Sequence, residues 1–371
     1  MNDSGTADLL RRARQVLETG SPEMGKSESS SPVDLYLDLD RFEAERRMMR
    51  RFPQAVLASS ILSHAGDWWS GDVLEVPLLL SRDDEGQVRA FINVCRHRGA
   101  RLVEQGQGCG KRKFSCPYHA WTYGCDGQLL HVTGLRALPC VERAGLIWVI
   151  VDPAEDKSGE DMAAMLGPFS DDLRTMAFDA CQAYAPREIE IACNWKLVIE
   201  GSSEAYHFKI AHRQSIAPLF ADNAQIIDEH GLNRRMFIVR ESLRQFSGTA
   251  ESLDELRQHG NLLYFFFPLT MILVQPDHAQ VTRIEPITPE RTRIIDIALI
   301  PPGPLDERTR EYWDRNVDLY RRTLGEDFSM MESIQAGLRS GANRTLHFGR
   351  HEMALTRFHE QLSAQLDVLD P

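Results

Sequence analysis

Apolar positions change texture several times along the chain. The spacing in Asp8 to Glu18 predicts a short helix. The Gly/Ser/Pro-rich GSPEMGKSESSSPVD after it predicts a mobile stretch, and the charged LDLDRFEAERRMMRR predicts a second helix. From Phe52 to about Pro153, short aliphatic or β-branched runs (LEVPLLLSRDDEGQVRAFINVC, RKFSCPYHAWTYGCDGQLLHV, GLIWVIVDP) alternate with turn signals. DDEG and CDGQ read as hairpin turns, so this region is expected to be a small all-β domain. Residues 154–182 look helical and acidic, and CQAYAPREIEIACNWK returns to a strand. LVIEGSSEAYHFKIAHRQSIAPLF has helical spacing, with Pro218 as its stop. NRRMFIVRESL, LLYFFFPLTMILVQ, HAQVTRIEPI and TRIIDIALIPP suit a mostly antiparallel sheet. The last third carries apolar residues three and four apart, the mark of amphipathic helices. The expected fold is therefore α+β: an N-terminal segment over 1–51, a small all-β domain over 52–153, and a larger helix-flanked antiparallel-sheet domain over 154–371. No internal repeat is visible.

Composition narrows the function classes. With 371 residues, 43% hydrophobic and 26% charged, the chain has the ordinary globular balance and room for two domains of about 150 residues each. A net charge of −12 disfavours phosphate backbones and anionic lipid as main partners. No run approaches the roughly 18 apolar residues of a membrane span, and the acidic start has no apolar signal region. Seven cysteines, an odd number, argue against a disulfide framework. A cytoplasmic enzyme is expected.

Five cysteines fall between positions 95 and 140, and two of them stand in a pattern with histidine. Cys95-Arg-His97 is followed, after 18 residues, by Cys116-Pro-Tyr-His119. Two short loops would bring two thiolates and two imidazoles to one point. Thiolates suit iron–sulfur clusters or zinc, and imidazole suits iron and zinc alike. Spacing alone leaves a structural Cys2His2 zinc site open beside a Rieske [2Fe–2S] centre, in which two cysteines hold one iron and two histidines the other. Downstream, Glu204-Ala-Tyr-His207 leads to His212. Histidines five apart do not stack on a regular helix, so a distorted or π-bulged turn is expected there. Two histidines and a carboxylate on one side of an iron form the facial triad of non-haem oxygenases. A metallohydrolase could also use such histidines.

The surrounding text decides between these readings. CRHRGARL and FSCPYHAWTYGCDGQL closely resemble the Rieske signature of the α subunits of Rieske non-haem iron oxygenases, the aromatic-ring-hydroxylating dioxygenase family, and the resemblance runs from about Phe52 to the end. It implies Cys95, His97, Cys116 and His119 as [2Fe–2S] ligands. Gly99 would turn the chain beside the cluster, Pro117 would stiffen the second loop, and Trp121 and Tyr123 would shield it, while Cys109 and Cys125 are bystanders. It implies His207 and His212 as ligands of a mononuclear Fe(II). GEDFSMMESIQAGLRS resembles the helix that carries the third ligand, which points to Asp327, with Glu326 and Glu332 as the other choices. By the same resemblance Glu204 is the carboxylate bridging an iron histidine to a cluster histidine, His119 or His97, of the next subunit in a head-to-tail trimer.

The implied activity is that of a terminal oxygenase component. It would use O2 and electrons from NAD(P)H to hydroxylate or oxidatively demethylate a small organic substrate, with cis-dihydroxylation of an aromatic ring as the other outcome in the family. A non-oxygenase electron-transfer or zinc-binding protein is the alternative from another class. No GxGxxG after a strand and no flavin or NAD module is visible, so a separate reductase, with or without a ferredoxin, must deliver the electrons. A homotrimer is expected. Glu204 and the spacing of NWKLVIEGSSEAYH are more similar to the branch handling choline, carnitine and betaine-like substrates than to naphthalene-type dioxygenases, although that branch shows Asn where this chain has Gly201. Tyr184, Tyr206, Tyr264, Phe265, Phe266 and Phe267 are candidates for an aromatic cage, or else part of a core strand.

Overall fold

The structure, a computed structural model, describes residues 3–129 and 134–368. The end of the expected strand GQLLHV lies outside the described residues. The chain forms two compact units, one of Met49–Ala183 and one of Met1–Met48 together with Tyr184–Pro371.

In the first unit, the runs separated by turn signals become short antiparallel strands. Gly106–Gly108, Trp68–Val73, Val76–Arg82, Val88–Ile92 and Ala137–Leu138 lie side by side in one sheet. Cys140–Arg143, Leu146–Val149 and Gln54–Ala58 form a second, and Lys113–Ser115 pairs with Thr122–Gly124 in a separate hairpin. DDEG makes the expected turn between Val76–Arg82 and Val88–Ile92, with Asp83 accepting the backbone N–H groups of Glu85 and Gln87 at 3.0 and 2.8 Å. Residues 154–182, expected to belong with the following domain, fold here instead. Helices Gly159–Leu166 and Pro168–Thr175 bury Met162, Leu166, Phe169 and Leu173. Arg143 donates to Ser170 at 2.7 Å, and Asp179 accepts the N–H of Gly145 at 3.1 Å.

The second unit is built on a seven-stranded antiparallel sheet. Its order is Gln182–Ile191, Arg291–Ile300, Ala279–Thr288, Thr270–Val274, Gly260–Phe266, Asn233–Arg240 and Phe220–His230. Neighbouring strands follow one another in sequence over most of the sheet, as antiparallel hairpins allow. The 33-residue helix Glu307–Arg339 is fastened to this sheet at several points. Tyr320 shares a 2.5 Å hydrogen bond with Thr282, and Arg321 reaches the fully buried Asp296 at 2.9 Å, where Arg187 arrives at 2.7 Å from the edge strand. A buried carboxylate is tolerable because two guanidinium groups pair it.

The N-terminal segment, expected to stand apart, is part of this second unit. Helix Asp3–Thr19 buries Leu9, Leu10, Ala13 and Val16, one stripe at three- and four-residue spacing, and Arg12 binds Asp228 at 2.5 Å and the carbonyl of Ile227 at 2.9 Å. Ser29–Pro32, expected to be mobile, is a strand paired antiparallel with Thr345–Phe348. Its composition signals no strand; a partner more than three hundred residues away supplies the ladder. No helix among the described residues is long and apolar enough to cross a membrane.

Candidate active site and metal centres

In the first unit, Cys95 and Cys116 are buried while His97 and His119 are exposed. Each ligand pair sits on a tight turn. The N–H of Gly99 donates to the carbonyl of Cys95 at 3.0 Å, and Gly99 has φ +80°, a backbone region that favours glycine. The matching bond from Ala120 N–H to the Cys116 carbonyl is 2.9 Å. These turns face His97 Nδ1 to His119 Nδ1 at 3.1 Å. Trp121 stacks on His97 with centroids 4.7 Å apart, and the Tyr123 hydroxyl lies 3.4 Å from Cys95 Sγ while accepting the N–H of Arg96 at 3.0 Å. Burial pushes the Cys95 thiol up, but hydrogen bonds from Tyr123 and the His97 backbone outweigh it and hold the thiol below its ordinary range. Burial, with the thiol as neighbour, raises the Tyr123 phenol to about 12, so it stays a donor. Cys109 is exposed, and Cys125 turns away to donate to the Lys111 carbonyl at 2.8 Å. Buried sulfurs on one side and paired imidazole nitrogens on the other fit a [2Fe–2S] cluster held by two thiolates and two histidines.

In the second unit, Asn194 caps helix Trp195–Gly201, accepting the Lys196 N–H at 2.9 Å. The chain then turns through residues 202–207 into the single turn Phe208–Ala211. His207 and His212 flank that turn, so of the two expected forms the distorted turn is found and not a π-bulge: a one-turn helix, left at both ends, brings histidines five apart together. Their Nε2 atoms lie 3.2 Å apart. Asp327, from the middle of helix Glu307–Arg339, completes the group, with Oδ1 3.0 Å from His212 Nε2 and 3.4 Å from His207 Nε2.

The far nitrogen of each imidazole is also held by a carboxylate. Glu204 Oε1 makes a short contact with His207 Nδ1, while its Oε2 accepts the backbone N–H groups of Tyr206 and, at 3.1 Å, His207. Glu326 Oε2 lies 2.6 Å from His212 Nδ1 and accepts the Ser215 hydroxyl at 2.7 Å. Glu326 is thus the support of a ligand, a role its sequence position did not reveal. Glu332 is elsewhere, accepting the N–H of Ala192 at 2.9 Å. Burial opposes charge on His207, yet hydrogen bonds to Asp327 and Glu204 raise it to about 9. Burial likewise pushes Asp327 up, and the two histidines hold it below the usual carboxylate range. Three carboxylates around two imidazoles form an anionic pocket whose inner atoms all lie within 4.8 Å of one another, a donor set that fits a divalent cation with positions left open.

The three inner residues open onto a cleft of about 650 Å³, part of it open to solvent, between the sheet and the long helix. Its apolar wall includes Phe208, Phe220, Ile238, Leu263, Met271 and Leu273. Of the aromatic residues proposed for a cage, none lines it. Tyr264, Phe265 and Phe266 are core positions of strand Gly260–Phe266, Phe267 is buried beside it, Tyr184 bonds Asp314 at 2.6 Å, and Tyr206 is 57% exposed. At Gly201 the neighbour is the flexible end of a long side chain. A Cβ there would lie 2.5 Å from Met331 Cε on the long helix, so an Asn would displace that methionine.

Comparison with known proteins gives the family. The family model described as "Ring hydroxylating alpha subunit (catalytic domain)" matches residues 178–367, and "Rieske [2Fe-2S] domain" matches 52–142. The chain is 29% identical over 342 residues to the carnitine monooxygenase oxygenase subunit of Escherichia coli (strain K12), covering 84% of this chain and 85% of that protein. It is 24% identical over 375 residues to the chloroplastic choline monooxygenase of Beta vulgaris, covering 95% and 80%. Among solved structures, the quaternary ammonium Rieske monooxygenase CntA with L-carnitine superposes with a TM-score of 0.75 at 22% identity, covering 94% of this chain and 97% of that one. Fold and comparisons together define an iron-dependent oxygenase with a [2Fe–2S] cluster and a mononuclear iron. The chain belongs to the ring-hydroxylating α-subunit family of Rieske oxygenases.

Proposed function

We propose that this chain is the oxygenase component of a monooxygenase system that hydroxylates or oxidatively demethylates a small organic substrate in the cleft beside His207, His212 and Asp327. The convergence of these three side chains, with a carboxylate behind each imidazole, carries the reading. Activation of dioxygen and one-electron delivery are the chemistry that iron and the cluster bring when bound. The chain's own residues do the positioning. Cys95, His97, Cys116 and His119 hold the cluster. Glu204 and Glu326 accept hydrogen bonds from the Nδ1–H groups of His207 and His212, which leaves each Nε2 to face inward beside Asp327 as a metal donor. The apolar wall keeps bulk water from the substrate.

In this reading the electrons cross between subunits of a homotrimer, from a cluster histidine of one chain to Glu204 and His207 of the next, and a separate NAD(P)H-dependent reductase, with or without a ferredoxin, supplies them. Exposed apolar side chains stand next to each centre. Tyr118 adjoins His119, while Ile210, Met330 and Ile334 lie near Glu204 and His207, a pattern that favours protein contact at both places. Cys109, Cys125, Cys140, Cys181 and Cys193 form no disulfide, which supports a reducing, cytoplasmic setting. His207→Ala tests the assignment: turnover with a surrogate reductase should vanish and the cluster spectrum should persist. A His207→Ala protein that still oxidises substrate would place the reaction elsewhere.

A further inference from the structure

One side chain in the cleft is left without a task by everything described so far. Gln280 lies on the inner strand Ala279–Thr288, is 1% exposed, and lines the cleft. Neither its Nε2 nor its Oε1 has a hydrogen-bond partner in the protein. No other buried amide side chain among the described residues has both ends so placed. The register explains why: directly opposite it stand Leu273 on one neighbouring strand and Ala298 on the other, and neither side chain can bond. Several other polar groups of the wall are engaged. Thr282 and Tyr320 bond each other, the Thr323 hydroxyl donates to the Leu319 carbonyl, and Asn261 accepts from Arg240 at 2.9 Å. Buried polar groups are nearly always paired, and one left unpaired beside a cleft marks where a bound molecule can satisfy it.

We propose that Gln280 is the specificity-determining residue of the cleft and that it selects an uncharged substrate presenting a hydrogen-bond donor and acceptor side by side, of the carboxamide or lactam class, on an apolar body. The inference rests on the oxygenase reading of the cleft and deepens it. An amide offers one donor group and one acceptor, so a second amide pairs with it at both ends. The lining contains no Lys or Arg to hold a carboxylate. A quaternary ammonium group has neither donor nor acceptor and would bury Gln280 unpaired, and no aromatic cage awaits it: Phe208 and Phe220 pack edge to face on one another at 5.6 Å, and the Tyr320 hydroxyl is tied to Thr282.

Four probes of nearly one shape separate these cases: benzamide, acetophenone, isopropylbenzene and phenyltrimethylammonium. Their binding to the iron-loaded oxygenase is measured by calorimetry, on a preparation whose iron, acid-labile sulfide and cluster spectrum are recorded. Benzamide should bind most tightly, about tenfold or more ahead of isopropylbenzene and phenyltrimethylammonium, with acetophenone between. Gln280→Met, which keeps the length and removes the amide, should erase that ranking while iron and sulfide contents stay unchanged. If isopropylbenzene or phenyltrimethylammonium equals benzamide on the unaltered protein, or if the ranking survives in Gln280→Met, the assignment is wrong. The unaltered protein alone decides should the variant not fold. Absence of iron and sulfide would instead overturn the oxygenase reading, so the two failures are distinct.

Discussion

The two metal centres are assembled on opposite plans. The proposed cluster site would take its donors from 25 consecutive residues, on two turns whose backbone bonds close locally, and it keeps its sulfurs buried and its imidazoles exposed. The proposed mononuclear site would draw donors from positions 207, 212 and 327, with buried His212 between partly covered His207 and Asp327, and each imidazole backed by a carboxylate. One arrangement is shaped by loop geometry and leaves its imidazoles exposed; the other is shaped by the packing of a helix on a sheet and faces a cleft. A local site survives changes in distant packing. A site assembled across the fold answers to every element that carries one of its donors.

Substitutions can break or sharpen this contrast. The largest effect is expected from Cys116→Ser, which should remove the cluster's brown colour and all reductase-driven turnover while leaving the mononuclear donors in place, as iron and sulfide analysis would show. Asp327→Ala should do the reverse, with turnover lost, the cluster spectrum kept, and one iron missing per chain. Glu204→Gln should spare both metals yet slow steady-state turnover about tenfold or more, because a carboxylate behind a ligand imidazole fixes its tautomer and basicity; reduction of the cluster by dithionite should be unaffected. Glu326→Gln is expected to weaken iron retention about tenfold without touching the cluster, measured by chelator challenge. The smallest effect concerns acid. Burial pushes Asp83 up, but Arg89 at 2.8 Å and the N–H of Gln87 prevail and hold it below the usual carboxylate range. A depressed carboxyl adds stability above its ordinary value and loses it as pH falls, so Asp83→Asn should flatten the acid side of the Tm profile.

How legible each centre was in the sequence follows from the same contrast. The Cys95/His97 and Cys116/His119 spacing carries its own geometry, and the β texture around it shows in short runs and turn residues. His207, His212 and Asp327 are readable only beside a resemblance, because nothing between positions 212 and 327 states that the helix folds back onto that sheet. The same limit hid the strand Ser29–Pro32, whose partner is Thr345–Phe348. It also drew attention to Tyr264 and Phe265, strand residues facing the core, in place of Phe208 and Phe220, which reach the cleft. Gln280 sits in an ordinary strand pattern, and only its lack of partners in three dimensions sets it apart.

Helix Glu307–Arg339 works as a beam pinned at several points, two of which bracket Asp327. Arg321 ties it to Asp296, and the Gln335 side chain receives the N–H of Asn194 at 2.9 Å. Asp327 lies between them, roughly 9 Å along the axis from the first and 12 Å from the second at the usual helical rise. Loosening either pin would tilt the beam and carry the carboxylate off its mark, so the grip on iron can fail through a residue that never comes near the metal.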